Sequence, residues 1–94
     1  MMPRFRVGDS VRVRRLPALG HVRTPHYARG KPGQIAAYVG SYPDPEAAAA
    51  GGDGRPWRPL YRVRFTQTDM WPDYSGPATD TLDVEIYEQW LESE

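Results

Sequence analysis

The stretch Leu60-Tyr61-Arg62-Val63-Arg64-Phe65 decides the fold class of this 94-residue chain. Its apolar and charged side chains alternate strictly, which is the pattern of a β-strand with one buried face. We therefore expect the tyrosine, valine and phenylalanine of this stretch to face a core, and its two arginines to face solvent.

Two further stretches alternate in the same way. Valines alternate with arginines in Ser10–Arg14, and apolar residues alternate with carboxylates in Thr81–Tyr87. Helical periodicity is missing nearly everywhere, and turn signals recur at short spacing. Several short strands separated by such turns are typical of a small all-β sandwich or barrel. The outward arginines and the outward carboxylates are expected to pair across neighbouring strands.

A fourth strand is predicted over Gly33–Val39. A strict period of two places Ile35, Ala37 and Val39 on one face and Tyr38 on the other. The residues that follow, 41–45, contain two prolines, which should break the ladder because proline cannot donate a hydrogen bond to it.

One long irregular excursion is predicted between strands, over residues 42–59. A helical turn could form within it at Glu46–Ala50, although so short a helix is marginal by itself. At the two ends of the chain, Phe5 and Val7 could start a strand, and Glu88–Leu91 is expected to form a closing turn that docks Trp90 and Leu91 on the core.

Composition limits the classes of function. With 12 basic and 12 acidic residues the formal net charge is zero, which argues against a dedicated binder of nucleic acid or of an anionic membrane. The chain contains no cysteine and no long apolar run, so we expect a cytoplasmic protein without disulfides. Its length favours a single domain over residues 1–94.

The polar loop Gly20–Gly33 is the candidate functional segment. It contains two arginines, two histidines and a tyrosine, held among prolines and glycines that restrict or permit particular backbone angles. Arg23 and Arg29 could hold an anionic group by charge-assisted, bidentate hydrogen bonds. Two alternatives stay open: the loop could be an ordinary surface turn, and each arginine could pair with an acidic group of its own chain.

Known catalytic and metal-binding motifs are missing. His21 and His26 are the only histidines, and their spacing matches no common metal site, so we expect no metal to be bound by this chain. The sequence has no nucleophile elbow, P-loop or dinucleotide fingerprint. By itself the chain therefore does not look like an enzyme.

Motifs along almost the whole chain resemble the C-terminal domain of the β subunit of nitrile hydratase. The opening Val-Gly-Asp-x-Val-x-Val at Val7–Val13 is shared with many small barrels, whereas the pattern Gly-His-x-Arg-x-Pro-x-Tyr-x-Arg-Gly at Gly20–Gly30 is more specific. The aromatic strand around Val63 and the closing stretch Val84–Glu92 also match.

This resemblance implies a fold and a catalytic partner. The fold would be an SH3-like, partly open β barrel. The partner would be an α subunit that binds cobalt(III) or iron(III) through a cysteine-rich loop with two oxidised cysteines, where the metal promotes addition of water to a nitrile. Arg23 would cross to that subunit and donate hydrogen bonds to the oxidised sulfurs, and the surrounding interface loop would include His21, Pro25, Tyr27 and Arg29.

The resemblance also implies a second partner and leaves alternatives. The usual β subunit has a helical N-terminal half, which this sequence lacks, so a separate chain is expected to supply it, unless the sequence is a truncated β subunit. The leading hypothesis is a subunit of a hetero-oligomeric nitrile hydratase that is not catalytic alone. A thiocyanate hydrolase subunit, an accessory activator that loads the α subunit with metal, and a small nucleic-acid-binding barrel are the alternatives.

Overall fold

The computed structural model describes residues 3–16, 24–45, 51–52, 55 and 57–94. Five strands in these ranges form one antiparallel sheet in the order β4-β3-β2-β1-β5. The strands are β1 (Ser10–Val13), β2 (Pro32–Pro43), β3 (Trp57–Thr66), β4 (Thr81–Tyr87) and β5 (Leu91–Ser93). Among the described residues no ladder joins β4 to β5, so the sheet is not closed. The prediction of an all-β fold consistent with a partly open barrel is confirmed.

Short helical elements cover the ends of the sheet. A single α-helical turn, α1 (Gln67–Met70), follows β3 directly and is capped by Thr66, whose hydroxyl accepts a hydrogen bond from the amide of Asp69 at 3.3 Å. Two 3-10 turns lie at His26–Ala28 and Glu88–Trp90. The predicted helical turn at Glu46–Ala50 lies outside the described residues.

The core lies on one face of the sheet and is centred on β3. The alternation over Leu60–Phe65 is confirmed, because Tyr61, Val63 and Phe65 are buried while Arg62 and Arg64 are exposed. Full burial of one such side chain stabilises the fold by roughly 1.5–3 kcal/mol. The predicted docking of Trp90 and Leu91 is confirmed as well, since both are buried. The other core residues are Phe5, Val11, Val13, Ala28, Ile35, Met70 and Ile86.

Outward charges pair between β3 and β4 as predicted. Arg64 lies opposite Asp83 in the ladder and donates to its carboxylate at 2.9 Å and 3.0 Å. Those hydrogen bonds lower the pKa of Asp83 below its usual value. Arg62 lies opposite Glu85 in the same ladder, with its Nη2 3.4 Å from Oε2 of the carboxylate. These pairs account for much of the charge on the outer face without a ligand.

The predicted faces of Ala37 and Tyr38 are wrong because the first of two β-bulges in β2 precedes them. Ile35 lies opposite Val63, but the register then shifts, so that Ala37 lies opposite Arg62 and Tyr38 opposite Tyr61. Residues directly opposite each other share a face, so Ala37 shares the face of Arg62 and Tyr38 that of Tyr61, where Tyr38 is still 45% exposed. A bulge inserts one extra residue, which reverses a strict period of two.

The hairpin of β2 and β3 is also longer than the sequence indicates. Its ladder continues to the pair Pro43–Trp57, so the predicted break over 41–45 is wrong as far as Pro43, and the irregular segment is shorter than residues 42–59. Pro43 forms the last pair of the ladder, and Pro59 lies beyond the last pair between β3 and β4, Leu60–Tyr87. Prolines are tolerated at such edge positions.

The N-terminal residues do not form the strand that Phe5 and Val7 suggested. Phe5 is buried and its amide donates to the hydroxyl of Tyr61 at 3.2 Å, whereas Val7 is 69% exposed in a turn. A hydrogen bond from the amide of Asp9 to the carbonyl of Arg6, 3.0 Å, closes that turn.

Candidate functional site

The candidate loop divides into a described and an undescribed part. His21 and Arg23 lie outside the described residues, whereas Pro25, Tyr27 and Arg29 lie within them. Thr24, which follows Arg23 directly in the chain, is buried. Arg23, which is expected to reach a partner, therefore has a buried residue as its neighbour in the chain.

A 3-10 turn shapes the segment after Pro25. The amide of Ala28 donates to the carbonyl of Pro25 at 3.1 Å, and the amide of Arg29 donates to that of His26 at 3.2 Å. Ala28 is fully buried and belongs to the core, while His26 and Tyr27 are exposed. The buried alanine thus anchors the turn and leaves its larger side chains on the surface.

Arg29 braces the loop from within. Its Nη2 donates to the carbonyl of Thr24 at 3.1 Å, and its Cζ lies 4.9 Å from the ring centroid of Trp90. A guanidinium over a tryptophan face is an attractive cation–π arrangement. Nε of Arg29 is buried and makes no hydrogen bond in the described part of the chain. Of the two roles that the sequence left open for Arg29, pairing with an acidic group of its own chain is not seen among the described residues.

Backbone hydrogen bonds join the end of the loop to β1. The amide of Gly30 donates to the carbonyl of Val13 at 2.7 Å, and the amide of Val13 donates to the carbonyl of Lys31 at 3.0 Å. Nη1 of Arg12 donates to the carbonyl of Gly30 at 2.8 Å. Gly30 has a φ of 79°, and the guanidinium of Arg15 fills the space where a Cβ would lie. A side chain at this position would therefore be strained and crowded.

An exposed aromatic pair adjoins the loop, and its second member, Trp71, was missed as a site residue from the sequence. The ring centroids of Tyr27 and Trp71 are 5.4 Å apart with the planes tilted by 37°. Trp71 is fixed by a hydrogen bond from its Nε1 to Oε1 of Gln67, 2.7 Å, across α1. The two aromatics are 44 positions apart in sequence, so only the fold brings them together.

The described residues do not contain a set of metal ligands. No group of three histidine, cysteine, aspartate or glutamate side chains is placed to hold an ion there, and the sequence has no cysteine at all. Within the same ranges, no helix has the length and apolar character needed to cross a bilayer. The arrangement seen in the described residues is a braced polar loop beside an exposed aromatic pair.

The chain matches the model of a known protein family. The model of the C-terminal region of the nitrile hydratase beta subunit matches residues 1–93. Among solved structures, a chain of the recombinant apo-enzyme of thiocyanate hydrolase from Thiobacillus thioparus superposes with a TM-score of 0.92 at 40% identity. That superposition covers 99% of this chain and 78% of the other.

Curated relatives belong to the same two kinds of enzyme. Thiocyanate hydrolase subunit alpha of Thiobacillus thioparus is 43% identical over 91 residues, covering 95% of this chain and 71% of that subunit. Nitrile hydratase subunit beta of Pseudomonas putida is 35% identical over 88 residues, covering 94% of this chain and 40% of the subunit. The cobalt-containing nitrile hydratase subunit beta of Pseudonocardia thermophila is 36% identical over 88 residues. That match covers 94% of this chain but only 36% of the Pseudonocardia thermophila subunit.

Proposed function

The chain belongs to the family formed by the C-terminal domains of nitrile hydratase β subunits, and on that premise we propose that it is one subunit of a hetero-oligomeric nitrile hydratase. This enzyme is a lyase that adds water to a nitrile to give an amide, and the chain is not catalytic alone. The observation that carries the proposal is the family match over residues 1–93, because it includes the whole braced loop.

Arg23 is proposed to be the residue through which the chain acts on the reaction. It would donate charge-assisted hydrogen bonds to oxidised cysteine sulfurs of a partner α subunit. Two features of its neighbourhood support this role: Thr24 is buried, and its carbonyl is held by Arg29. A guanidinium whose neighbouring backbone is held in place loses less conformational entropy on binding than one on a mobile backbone.

The metal is proposed to lie on the α subunit, as cobalt(III) or iron(III). The described residues of this chain do not fit a metal site, and two relatives are named as subunits of cobalt-containing nitrile hydratases. The part of this chain would be to orient and neutralise the anionic groups around a site that it does not itself ligate.

A further chain is proposed to supply the equivalent of the helical N-terminal half of the β subunit. The shared region covers 71% of thiocyanate hydrolase subunit alpha but only 40% of the Pseudomonas putida β subunit. The domain is thus found on subunits of different length, which supports a division of the β subunit. We also propose a cytoplasmic location, because the sequence has no cysteine for disulfides.

Thiocyanate hydrolysis is the second candidate function. It is favoured by the 43% identity with a thiocyanate hydrolase subunit and by the TM-score of 0.92. Assays of the purified complex with an organic nitrile and with thiocyanate distinguish the two. An accessory activator would differ from both, because it would leave the α subunit after metal loading.

Replacement of Arg23 tests the proposed role. In the assembled complex, Arg23→Ala should lower kcat by ~100-fold or more, because removal of one partner of a buried ion pair costs about 3–5 kcal/mol. Arg23→Lys should restore little, because an ammonium cannot form the bidentate pair. The melting temperature of the isolated chain should change little.

The control is Arg62→Ala, which removes an exposed arginine paired on the outer face of the sheet. It should leave activity within about twofold, as exposed pairs contribute little. If Arg23→Ala and Arg62→Ala had the same effect on kcat, or if Arg23→Ala lost stability in proportion to activity, the proposed role would be wrong.

A further inference from the structure

The β2–β3 hairpin extends beyond the strands that flank it. In the described part of the chain, β1 pairs with β2 only over residues 32–34, and β4 pairs with β3 only over residues 60–66. From Leu60 outward, the ladder of β2 and β3 continues to the pair Pro43–Trp57 with no third strand among the described residues. A two-stranded ladder by itself is at best marginally stable in water. The end of the hairpin is therefore an arm that gains stability from a surface packed against it.

One face of this arm continues the face that carries the core. The pairs on it are Tyr38–Tyr61, Ser41–Pro59 and Pro43–Trp57. They share a face because opposite residues do so, and because residues two apart in β3 point the same way. The ring of Tyr38 meets that of Tyr61 edge-on at a centroid distance of 5.9 Å, and its hydroxyl shares a hydrogen bond with that of Ser41 at 2.7 Å. The four residues Tyr38, Ser41, Pro43 and Trp57 are here called the arm surface.

The arm surface is exposed and uncharged. Tyr38 is 45% exposed and Trp57 is 52% exposed. The whole stretch 33–43 contains no charged side chain. Asp44 follows directly, but it is buried and its carboxylate is paired with Arg58 at 3.3 Å. Exposed aromatic side chains in such a setting favour a partner that presents an apolar face.

The N-terminal segment reaches the sheet next to the arm surface. The ring of Phe5 packs edge-on against that of Tyr61 with centroids 5.7 Å apart, and the amide of Phe5 donates to the hydroxyl of Tyr61 at 3.2 Å. Tyr61 thus contacts both Phe5 and Tyr38. The matching family is the C-terminal region of the beta subunit, and the shared part covers only 40% of the Pseudomonas putida subunit. A segment that precedes this region in a longer subunit would therefore enter beside Phe5, one ring away from Tyr38.

We propose that the arm surface binds the chain that supplies the equivalent of the N-terminal half of the β subunit, through an apolar face of that chain. The inference rests on the proposed function and adds to it the residues that hold this second partner. In an undivided subunit the covalent connection keeps the two halves together, whereas in a divided one a binding surface must do so. Tyrosine and tryptophan are enriched among the residues that dominate interface energies, and the bond to Ser41 restrains the ring of Tyr38 before binding.

The position of the arm surface separates it from the candidate loop. The loop ends at the start of β2, whereas Pro43 lies at the other end of the same strand. A strand of 12 residues spans roughly 30–35 Å at its usual rise per residue. A metal-bearing subunit reached by Arg23 would thus bind near one end of β2, and the arm surface at the other end is left for a different partner.

Binding of the full chain to the purified chain equivalent to the β N-terminal half tests the arm surface. The dissociation constant is measured for the wild type, Tyr38→Ala and Trp57→Ala, together with the melting temperature of each protein. We expect each replacement to weaken binding by about tenfold or more, as for central aromatic anchors. Binding of the wild type should change little between low and high NaCl concentration, because the arm surface has no charge to be screened. Since the two aromatics lie on different strands, one variant remains informative if the other fails to fold.

Matched controls come from the other face of the arm and from outside it. Tyr42→Ala removes a tyrosine that is 41% exposed but lies opposite Arg58, on the face away from Tyr38. Trp71→Ala removes a tryptophan that is 37% exposed beside the candidate loop. Both variants should bind the chain equivalent to the β N-terminal half within about twofold of the wild type, as expected for positions outside an interface.

Photo-crosslinking in the assembled complex of all three chains is a second measurement that needs no isolated partner. A benzophenone amino acid replaces Tyr38, Trp57 or Tyr42, and mass spectrometry identifies the chain that is joined to each position after irradiation. We expect positions 38 and 57 to be joined to the chain equivalent to the β N-terminal half, and position 42 not to be joined to it.

Three results would overturn the proposal. One is equal binding by the wild type, Tyr38→Ala and Trp57→Ala. Another is a loss of binding in Tyr42→Ala as large as that in Tyr38→Ala, because the effect would then not belong to one face of the arm. The third is crosslinking of positions 38 and 57 to the metal-bearing subunit or to a second copy of this chain. These results would leave the proposed function intact, whereas an active purified complex without the second partner chain would refute that part of the proposed function as well.

Discussion

Tyr61 shows how one residue serves both the core and a polar lock. Its ring is fully buried, and its hydroxyl donates to Oε2 of Glu88 at 2.6 Å while it accepts from the amide of Phe5. The same carboxylate oxygen accepts from the amide of Arg4 at 2.8 Å. The N-terminal segment is therefore fastened to the 3-10 turn at Glu88–Trp90 through the phenol of Tyr61 and directly through the carboxylate of Glu88.

Tyr61→Phe tests this lock. At neutral pH it should lower the free energy of unfolding by about 1–3 kcal/mol, because the buried amide of Phe5 loses its acceptor. Urea denaturation of the isolated chain measures the change. Tyr38→Phe is the control, since the hydrogen bond between the hydroxyls of Tyr38 and Ser41 is exposed to solvent. A loss for Tyr38→Phe equal to that for Tyr61→Phe would contradict the lock.

The difference in unfolding free energy between the wild type and Tyr61→Phe should depend on pH. Burial, followed by the hydrogen bond to Glu88, raises the pKa of Tyr61 to about 12 in the folded chain, above its ordinary value of 10.0. The folded state then holds the phenolic proton more tightly than the unfolded state, so this contribution is present below pH 10 and is lost as the pH rises towards 12. The stability difference between wild type and Tyr61→Phe should shrink over that range.

For single residues, the sequence predicted which side chains face the core better than it predicted which residues they contact. Strict alternation placed Tyr61, Val63 and Phe65 in the core, because a strand has a fixed period of two. It could not predict that Glu88 would accept the hydrogen bond from Tyr61, because that contact depends on how the chain returns after β4.

Among the elements, the β2–β3 hairpin departs most from its sequence pattern. The bulge before Ala37 reverses the faces of Ala37 and Tyr38, and bulges leave no clear signal in a pattern of apolar and polar residues. The centres of the strands were predicted, since alternation is strongest there. Their ends were not, because Pro43 and Pro59 lie at positions where a ladder tolerates proline.

Gly33 at the start of β2 gives a test of packing between elements. A Cβ built there would lie 2.8 Å from Cγ1 of Val63 and 3.0 Å from the carbonyl oxygen of Arg64. Gly33→Ala should therefore force β2 and β3 apart and lower the free energy of unfolding by about 1–3 kcal/mol. Thermal and urea denaturation measure it, with Gln34→Ala at the neighbouring exposed position as the control. A Gly33→Ala protein as stable as the wild type would show that the strands are less closely packed.

For the whole molecule, the candidate site was predictable only in part. The loop was predicted as a site because prolines and glycines enclose its arginines. The family resemblance then predicted an α subunit as the partner of these arginines. Trp71 was missed as a site residue because it reaches Tyr27 only through the fold.

We propose that this chain is a permanent part of a metal-containing enzyme assembled with other chains. Native mass spectrometry of the tagged chain, co-expressed with an α-type subunit and the chain equivalent to the β N-terminal half, tests this assembly. The expected result is one stoichiometric complex that contains all three chains and retains its metal through purification. Recovery of the tagged chain alone, beside an active metal-loaded complex of the other two, would contradict it.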